Sequence, residues 1–192
     1  MNNNFFKITF FVGLLLFFTA YLISSAKTIS DKKESSVLPI TKLTKVTQNL
    51  PVRIVIPKIN VNANVQNVGV TKTGDMDSSS NIYDVGWYSL GPKPGETGSS
   101  VIAGHLDGRN SETGVFFNLY KLKKGDKVYV QNDKGITLTF IVQKTNIYDA
   151  GYAEEVFSSN DTAHLNLITC TGIWDANKKD FDKRLVVFTD II

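Results

Sequence analysis

The chain reads as an all-β domain of about 140 residues, a barrel or sandwich, carried behind an apolar N-terminal segment. Two observations carry the β reading. From residue 51 onward, short runs rich in Val, Ile, Thr, Phe and Tyr alternate with clusters of Gly, Asn, Asp and Pro. Helical periodicity is scarce over the same stretch. A third observation sets the domain count: 192 residues with 42% apolar content suffice for one substantial core.

The N-terminal segment comes first. Residues 5–23 are apolar apart from Lys7 and a few small or hydroxyl side chains. At about 1.5 Å rise per residue, a helix of that length nearly crosses the roughly 30 Å hydrocarbon core of a bilayer. Residues 1–26 are therefore expected to form a retained membrane anchor. A cleavable signal peptide is the competing reading, with its apolar region at residues 8–23 and a small-residue cleavage site at Ser24-Ser25-Ala26. Either way the remainder is exported. Lys27, Lys32 and Lys33 follow the run, and only Lys7 and the amino terminus stand on its N-terminal side. Long C-terminal domains cross largely regardless of such charges, so the expected topology is single-pass in the cell membrane with the domain outside.

Residues 27–49 are polar, rich in Ser, Thr and Lys, and show no sustained period, as a linker does. Up to residue 49 there are six Lys against Asp31 and Glu34, a net of +4; from residue 50 onward 15 basic face 16 acidic residues, a net of −1. The basic charge thus belongs to the tail and linker. A nucleic-acid surface needs clustered cations on the domain itself, so that partner is excluded.

Within the domain, residues 50–192, the strand-like runs fall at 52–56, 100–104, 127–131, 136–145, 165–170 and 185–189. Residues 125–146 have the pattern of a hairpin turning at Asn132-Asp133-Lys134-Gly135. Val115, Leu119 and Leu122 recur at helical spacing, enough for one short helix or 3₁₀ turn, and residues 153–158 suit another.

Three residue types stand out chemically. Cys170 is the sole cysteine, so no intramolecular disulfide is possible. It closes the run Leu165-Asn166-Leu167-Ile168-Thr169-Cys170, and a lone exported Cys is either a small buried hydrophobe or a reactive thiol. Two histidines are available as its base. His164 lies six residues away on the same run, roughly 20 Å in a regular strand, and cannot reach it. His105, at the end of Ser100-Val101-Ile102-Ala103-Gly104, is favoured. That separation also excludes a zinc site built on His105, His164 and Cys170. No metal and no cofactor is expected. Arg184 is one of three Arg against 18 Lys and precedes the apolar run at 185–189, where a planar fork suggests geometric work. Arg109 and Arg53 rank below it.

Ala103-Gly104-His105, then Leu167-Ile168-Thr169-Cys170, then Lys183-Arg184 before a final apolar run, in that order, resemble the sortases. These are membrane-anchored cysteine transpeptidases of Gram-positive bacteria. The family signature Thr-Leu-x-Thr-Cys is matched except at its first position, which is Asn166 here. Residues 85–88, 91–99 and 115–119 are similar to the group called class F. The resemblance implies a closed eight-stranded β-barrel with a His105, Cys170 and Arg184 site at one end of a groove. It also implies cleavage of a Leu-Pro-x-Thr-Gly-like sorting signal through a thioester, and transfer of the acyl group to an amine on a cell-wall precursor or a pilin lysine. The partners so implied are surface proteins bearing the sorting signal and that amine acceptor. Ala103, Ile168 and Thr169 would lie beside the substrate.

Other exported cysteine enzymes fit less well. An L,D-transpeptidase carries a Ser-His-Gly-Cys type motif that the chain lacks, and a papain-like protease places Cys before His. A non-catalytic surface-binding β-domain needs no such triad and is the alternative from a different class.

Overall fold

The computed structural model describes residues 49–108, 112–159 and 161–192. The expected anchor, the linker up to residue 48, and Arg109 lie outside them. Among the described residues eight strands occur: β1 Pro51–Ile56, β2 Val61–Val68, β3 Val85–Tyr88, β4 Gly98–Gly104, β5 Lys127–Asn132, β6 Thr137–Asp149, β7 Ala163–Asp175 and β8 Asp180–Ile191. They close into a barrel in the order β1-β2-β3-β4-β7-β8-β6-β5. The pairs β2/β3 and β4/β7 are parallel and the other six antiparallel. Closure leaves no free sheet edge, which suits a domain whose strands are held by no disulfide.

Alternation along each strand decides which side chains fill the barrel. Ile54 and Ile56, Val128 and Val130, Phe140 and Val142, Leu165 and Leu167, Leu185 and Val187 point inward and are buried, with Phe116 and Leu119 closing one end. Each such side chain contributes about 1.5–3 kcal/mol of burial. A second, smaller cluster lies on the outer face of the wall, where Val101, Val186 and Phe188 meet Val156. Val156 belongs to α1, Glu154–Phe157, which leaves the outer faces of β4, β7 and β8 with an apolar cover.

The expected hairpin is β5–β6, with the Asn132 side-chain oxygen accepting the amides of Lys134 and Ile136. The expected helical turns are a 3₁₀ turn at Leu119–Lys121 and α1. Two sequence expectations need correction. Cys170 does not end its strand: β7 runs on to Asp175, paired with β8 through a register shift between Thr171 and Trp174. The extension carries Gly172 and exposed Ile173 and Trp174, so no alternating burial marks it. β2 and β3 lie outside the runs expected to be strands; the outer face of β2 carries Asn62, Asn64 and Gln66, residues of low strand preference that pairing with β1 and β3 overrides.

Candidate active site

Pairing register assembles the candidate site. Cys170 is the cross-strand partner of Arg184 on β8, and Arg184 in turn pairs with Tyr148 on β6. On the other side, β4 and β7 run in parallel with Ala103 opposite Ile168. His105 directly follows the end of β4 and borders the same groove as Cys170. Tyr148, Arg184 and Cys170 form one row across β6, β8 and β7, on the face opposite inward Leu167 and Leu185. The next row holds Val186, Ile168 and Ala103.

These rows floor a groove of about 950 Å³ on the outside of the barrel wall, at the upper end of the volumes usual for ligand sites. Tyr88, Tyr152, Val156 and Phe157 face it, with Phe157 packed edge-on to Tyr88 and stacked on Tyr152, both at 5.6 Å between centroids. The α1 cover is fixed from two sides. Asn166 donates from its side-chain amide to the Val156 carbonyl at 2.7 Å, and the Glu155 carboxylate accepts from Tyr148 and Lys144. Asn166 stands at the one position that departs from the signature, and its reach to α1 gives that residue a role.

The backbone around His105 is held tightly. Gly104 permits this: a Cβ there would lie 2.5 Å from a Phe116 ring carbon. Gly114 likewise lies where a Cβ would meet the His105 carbonyl oxygen at 2.3 Å. The His105 carbonyl accepts from the Phe116 amide at 2.9 Å. On the ring, Nε2 lies 3.1 Å from the Ser79 carbonyl oxygen. A carbonyl only accepts, so Nε2 carries a proton and Nδ1 is the lone-pair nitrogen of the neutral ring. The Ser79 segment is braced by its own hydroxyl, 2.9 Å from the carbonyls of Asn81 and Asp84. Asp84 gathers side-chain amides of Asn81, Gln66 and Asn64, which outweigh its burial and hold its carboxyl below the ordinary range. Ser79 and Asp84 escaped the sequence reading; their only local mark is the turn-forming run from Ser78 to Asp84.

Thr169, expected beside the substrate, borders the groove but shares the inward alternation of Leu167. It is 3% exposed, and its hydroxyl donates to the Gly104 carbonyl at 2.8 Å. Ala103 and Ile168 are half-buried on the groove floor. His164 is far from Cys170 along β7; its Nδ1 lies 2.7 Å from Asp190 and its Nε2 2.8 Å from Asp161.

Electrostatics at the thiol are mixed. Burial pushes Cys170 up from its ordinary value, the Arg184 cation opposes that rise, and Asp180 and Asp107 add to it. The substrate-free site therefore favours a thiol. Arg184 is half-buried and already engaged: Nη1 donates to the carbonyls of Phe181 and Lys183 at 2.9 and 3.0 Å, and Nη2 to Asp180 at 2.6 Å.

A thiol in a peptide-sized groove, flanked by an imidazole and a guanidinium, has the makings of a cysteine acyl-transfer enzyme. Comparison with known proteins gives that class its family. A model of the sortase domain matches residues 54–192, so the chain belongs to the sortase family and is a cysteine transpeptidase. No curated protein matches it significantly by sequence. Among solved structures it is similar to sortase C-1 from Actinomyces oris, at 29% identity and TM-score 0.58 over 73% of this chain and 72% of that one. Group B Streptococcus Pilus Island 1 sortase C2 matches at 26% and 0.56, over 73% of each chain. Sortase A from Corynebacterium diphtheriae matches at 24% and 0.58, over 74% of this chain and 60% of that one, and so bears on the fold.

Proposed function

We propose that Cys170 is the nucleophile, His105 the acid–base group and Arg184 the oxyanion-side cation of a transpeptidation on Leu-Pro-x-Thr-Gly-like sorting signals. The register that sets Cys170 between Arg184 and the end of β4 is the observation that carries this reading. The Cys170 sulfur loses its proton to Nδ1 of His105 and attacks the Thr carbonyl carbon. The resulting oxyanion collapses, the C–N bond breaks, and the departing amine takes the proton from the imidazolium. The thioester is then attacked by an incoming primary amine; its extra proton passes to His105, and the sulfur leaves and is reprotonated. Arg184 donates toward the developing oxyanion. Ala103 and Ile168 floor the part of the groove next to the thiol, and Thr169 supports it from beneath.

The acceptor is an amine of a cell-wall precursor or a pilin lysine; the likeness to a pilus-island sortase makes a lysine peptide the first acceptor to try. Residues 85–88, 91–99 and 115–119 support assignment to class F. The apolar run at 5–23 tethers the enzyme to the membrane, with the domain outside the cell. Incubating the full-length chain with sorting-signal peptide libraries and amine acceptors should yield ligated products by mass spectrometry. An acyl adduct on Cys170 should appear and vanish in Cys170→Ala. Turnover persisting in that variant would remove Cys170 from the chemistry.

A further inference from the structure

The turn end of the β7–β8 hairpin brings a carboxylate into the groove that the transfer steps above leave unused. Asp180 begins β8 opposite Asp175 and borders the groove together with Cys170 and Arg184. Residues 180 and 184 lie on the same face of one strand, about 13 Å apart at the backbone if the strand is regular. Their side chains nevertheless meet, Nη2 to Oδ2, at 2.6 Å. The contact requires Arg184 to lie back along its own strand toward the hairpin, where the Phe181 and Lys183 carbonyls receive Nη1. The guanidinium is thereby committed along β8 toward the hairpin.

We infer that Asp180 is a positioning residue acting through Arg184: its carboxylate occupies the fork in the substrate-free enzyme, and the substrate carbonyl draws the fork back toward Cys170. This rests on the assignment of Cys170 and Arg184 made above. Charge points the same way. The titratable groups that border the groove or act on the sulfur are His105 and Asp107 after β4, Arg184 and Asp180 on β8, Tyr148 on β6, Lys178 and Lys179 in the hairpin turn, Asp75 and Asp77 in the segment after β2, Tyr88 on β3 and Tyr152 before α1. Of these, Arg184 favours the thiolate, while Asp180 and Asp107 disfavour it. A carboxylate that both occupies the cation and opposes the thiolate restrains the nucleophile twice over. Neutralising it should release both restraints while Nη1 keeps its two carbonyls.

The test uses the full-length chain and its Asp180→Asn and Asp180→Glu variants. Alkylation of Cys170 by iodoacetamide is followed against pH, without peptide. Single-turnover acylation by a sorting-signal peptide is followed over the same range. Asp180→Asn should move the alkylation midpoint to lower pH and raise acylation several-fold near neutrality, with the gain narrowing as pH rises and the wild-type thiol ionises. Asp180→Glu should behave as wild type. A midpoint that stays or moves upward in Asp180→Asn, or acylation lowered at every pH, would overturn the proposal. Acylation surviving in Cys170→Ala would instead overturn the parent assignment, a result that the peptide-free alkylation profile cannot mimic.

Discussion

Replacing Thr169 by Val tests how the barrel wall holds the candidate site together. The substitution keeps the shape and removes one hydroxyl. That hydroxyl is buried, and its 2.8 Å hydrogen bond to the Gly104 carbonyl links β7 to the end of β4, one residue before both Cys170 and His105. Losing the bond and leaving a buried carbonyl without this donor costs about 1–3 kcal/mol. The added methyl lies on the side of β7 that Leu167 occupies and recovers part of this, leaving about 1–2 kcal/mol. For a domain of this size the thermal midpoint should fall by about 3–8 °C. Because His105 directly follows Gly104, the loosened ladder should also misplace the imidazole relative to the thiol. Turnover of a fluorescence-quenched sorting peptide should drop by about tenfold, mostly in kcat. Thr169→Ser keeps the donor and should retain most of both properties. Wild-type melting and turnover in Thr169→Val would refute this reasoning. A Ser variant as impaired as the Val variant would mean that the methyl is needed as well as the hydroxyl.

The two histidines should separate cleanly. His105→Ala should lose on the order of 10²–10⁴ in turnover with little change in melting, whereas His164→Ala should keep turnover, as peptide cleavage and calorimetry would show. The pH dependence of melting should report His164. Burial alone would lower its pKa, but hydrogen bonds to Asp161 and Asp190 prevail and raise it; Asp161, bonded to Ser159 and His164, is held below the carboxylate range. The histidine's contribution is complete below its unfolded pKa of about 6.5 and is lost as pH climbs through the raised folded value, whereas that of Asp161 is lost as pH falls below about 4. Wild type should therefore exceed His164→Ala most near pH 5–6, and a constant gap across pH would contradict the pairing. Arg184→Lys keeps charge but cannot serve the Phe181 and Lys183 carbonyls together with an oxyanion, so single-turnover acylation should fall by about 10²–10³. Near-wild-type acylation would mean that the position needs only a cation.

Much of this protein was legible residue by residue. Runs of β-branched and aromatic side chains between Gly and Asn clusters mark most of the strands, because a half-buried pleated surface favours them locally. The exclusion of His164 followed from strand rise alone, and the carboxylates that hold it lie away from Cys170. Strand ends were less legible. β7 continues past Cys170 because β8 pairs with it, and β2 forms from poor strand residues because its neighbours supply the ladder.

Residue chemistry singled out Cys170, His105 and Arg184, since a sole thiol and a scarce guanidinium are conspicuous wherever they fold. Their juxtaposition is a different matter. It depends on a parallel pairing between strands 65 positions apart and an antiparallel one across the hairpin, and no local pattern encodes either offset. The same closure selects Ser79 as the partner of His105, sets Asp180 on Arg184 and turns the Thr169 hydroxyl toward Gly104. Such hydrogen bonds depend on where distant backbone comes to rest when the barrel buries its apolar face. Identity is therefore written along the chain, while register and partnership arise only when the sheet closes.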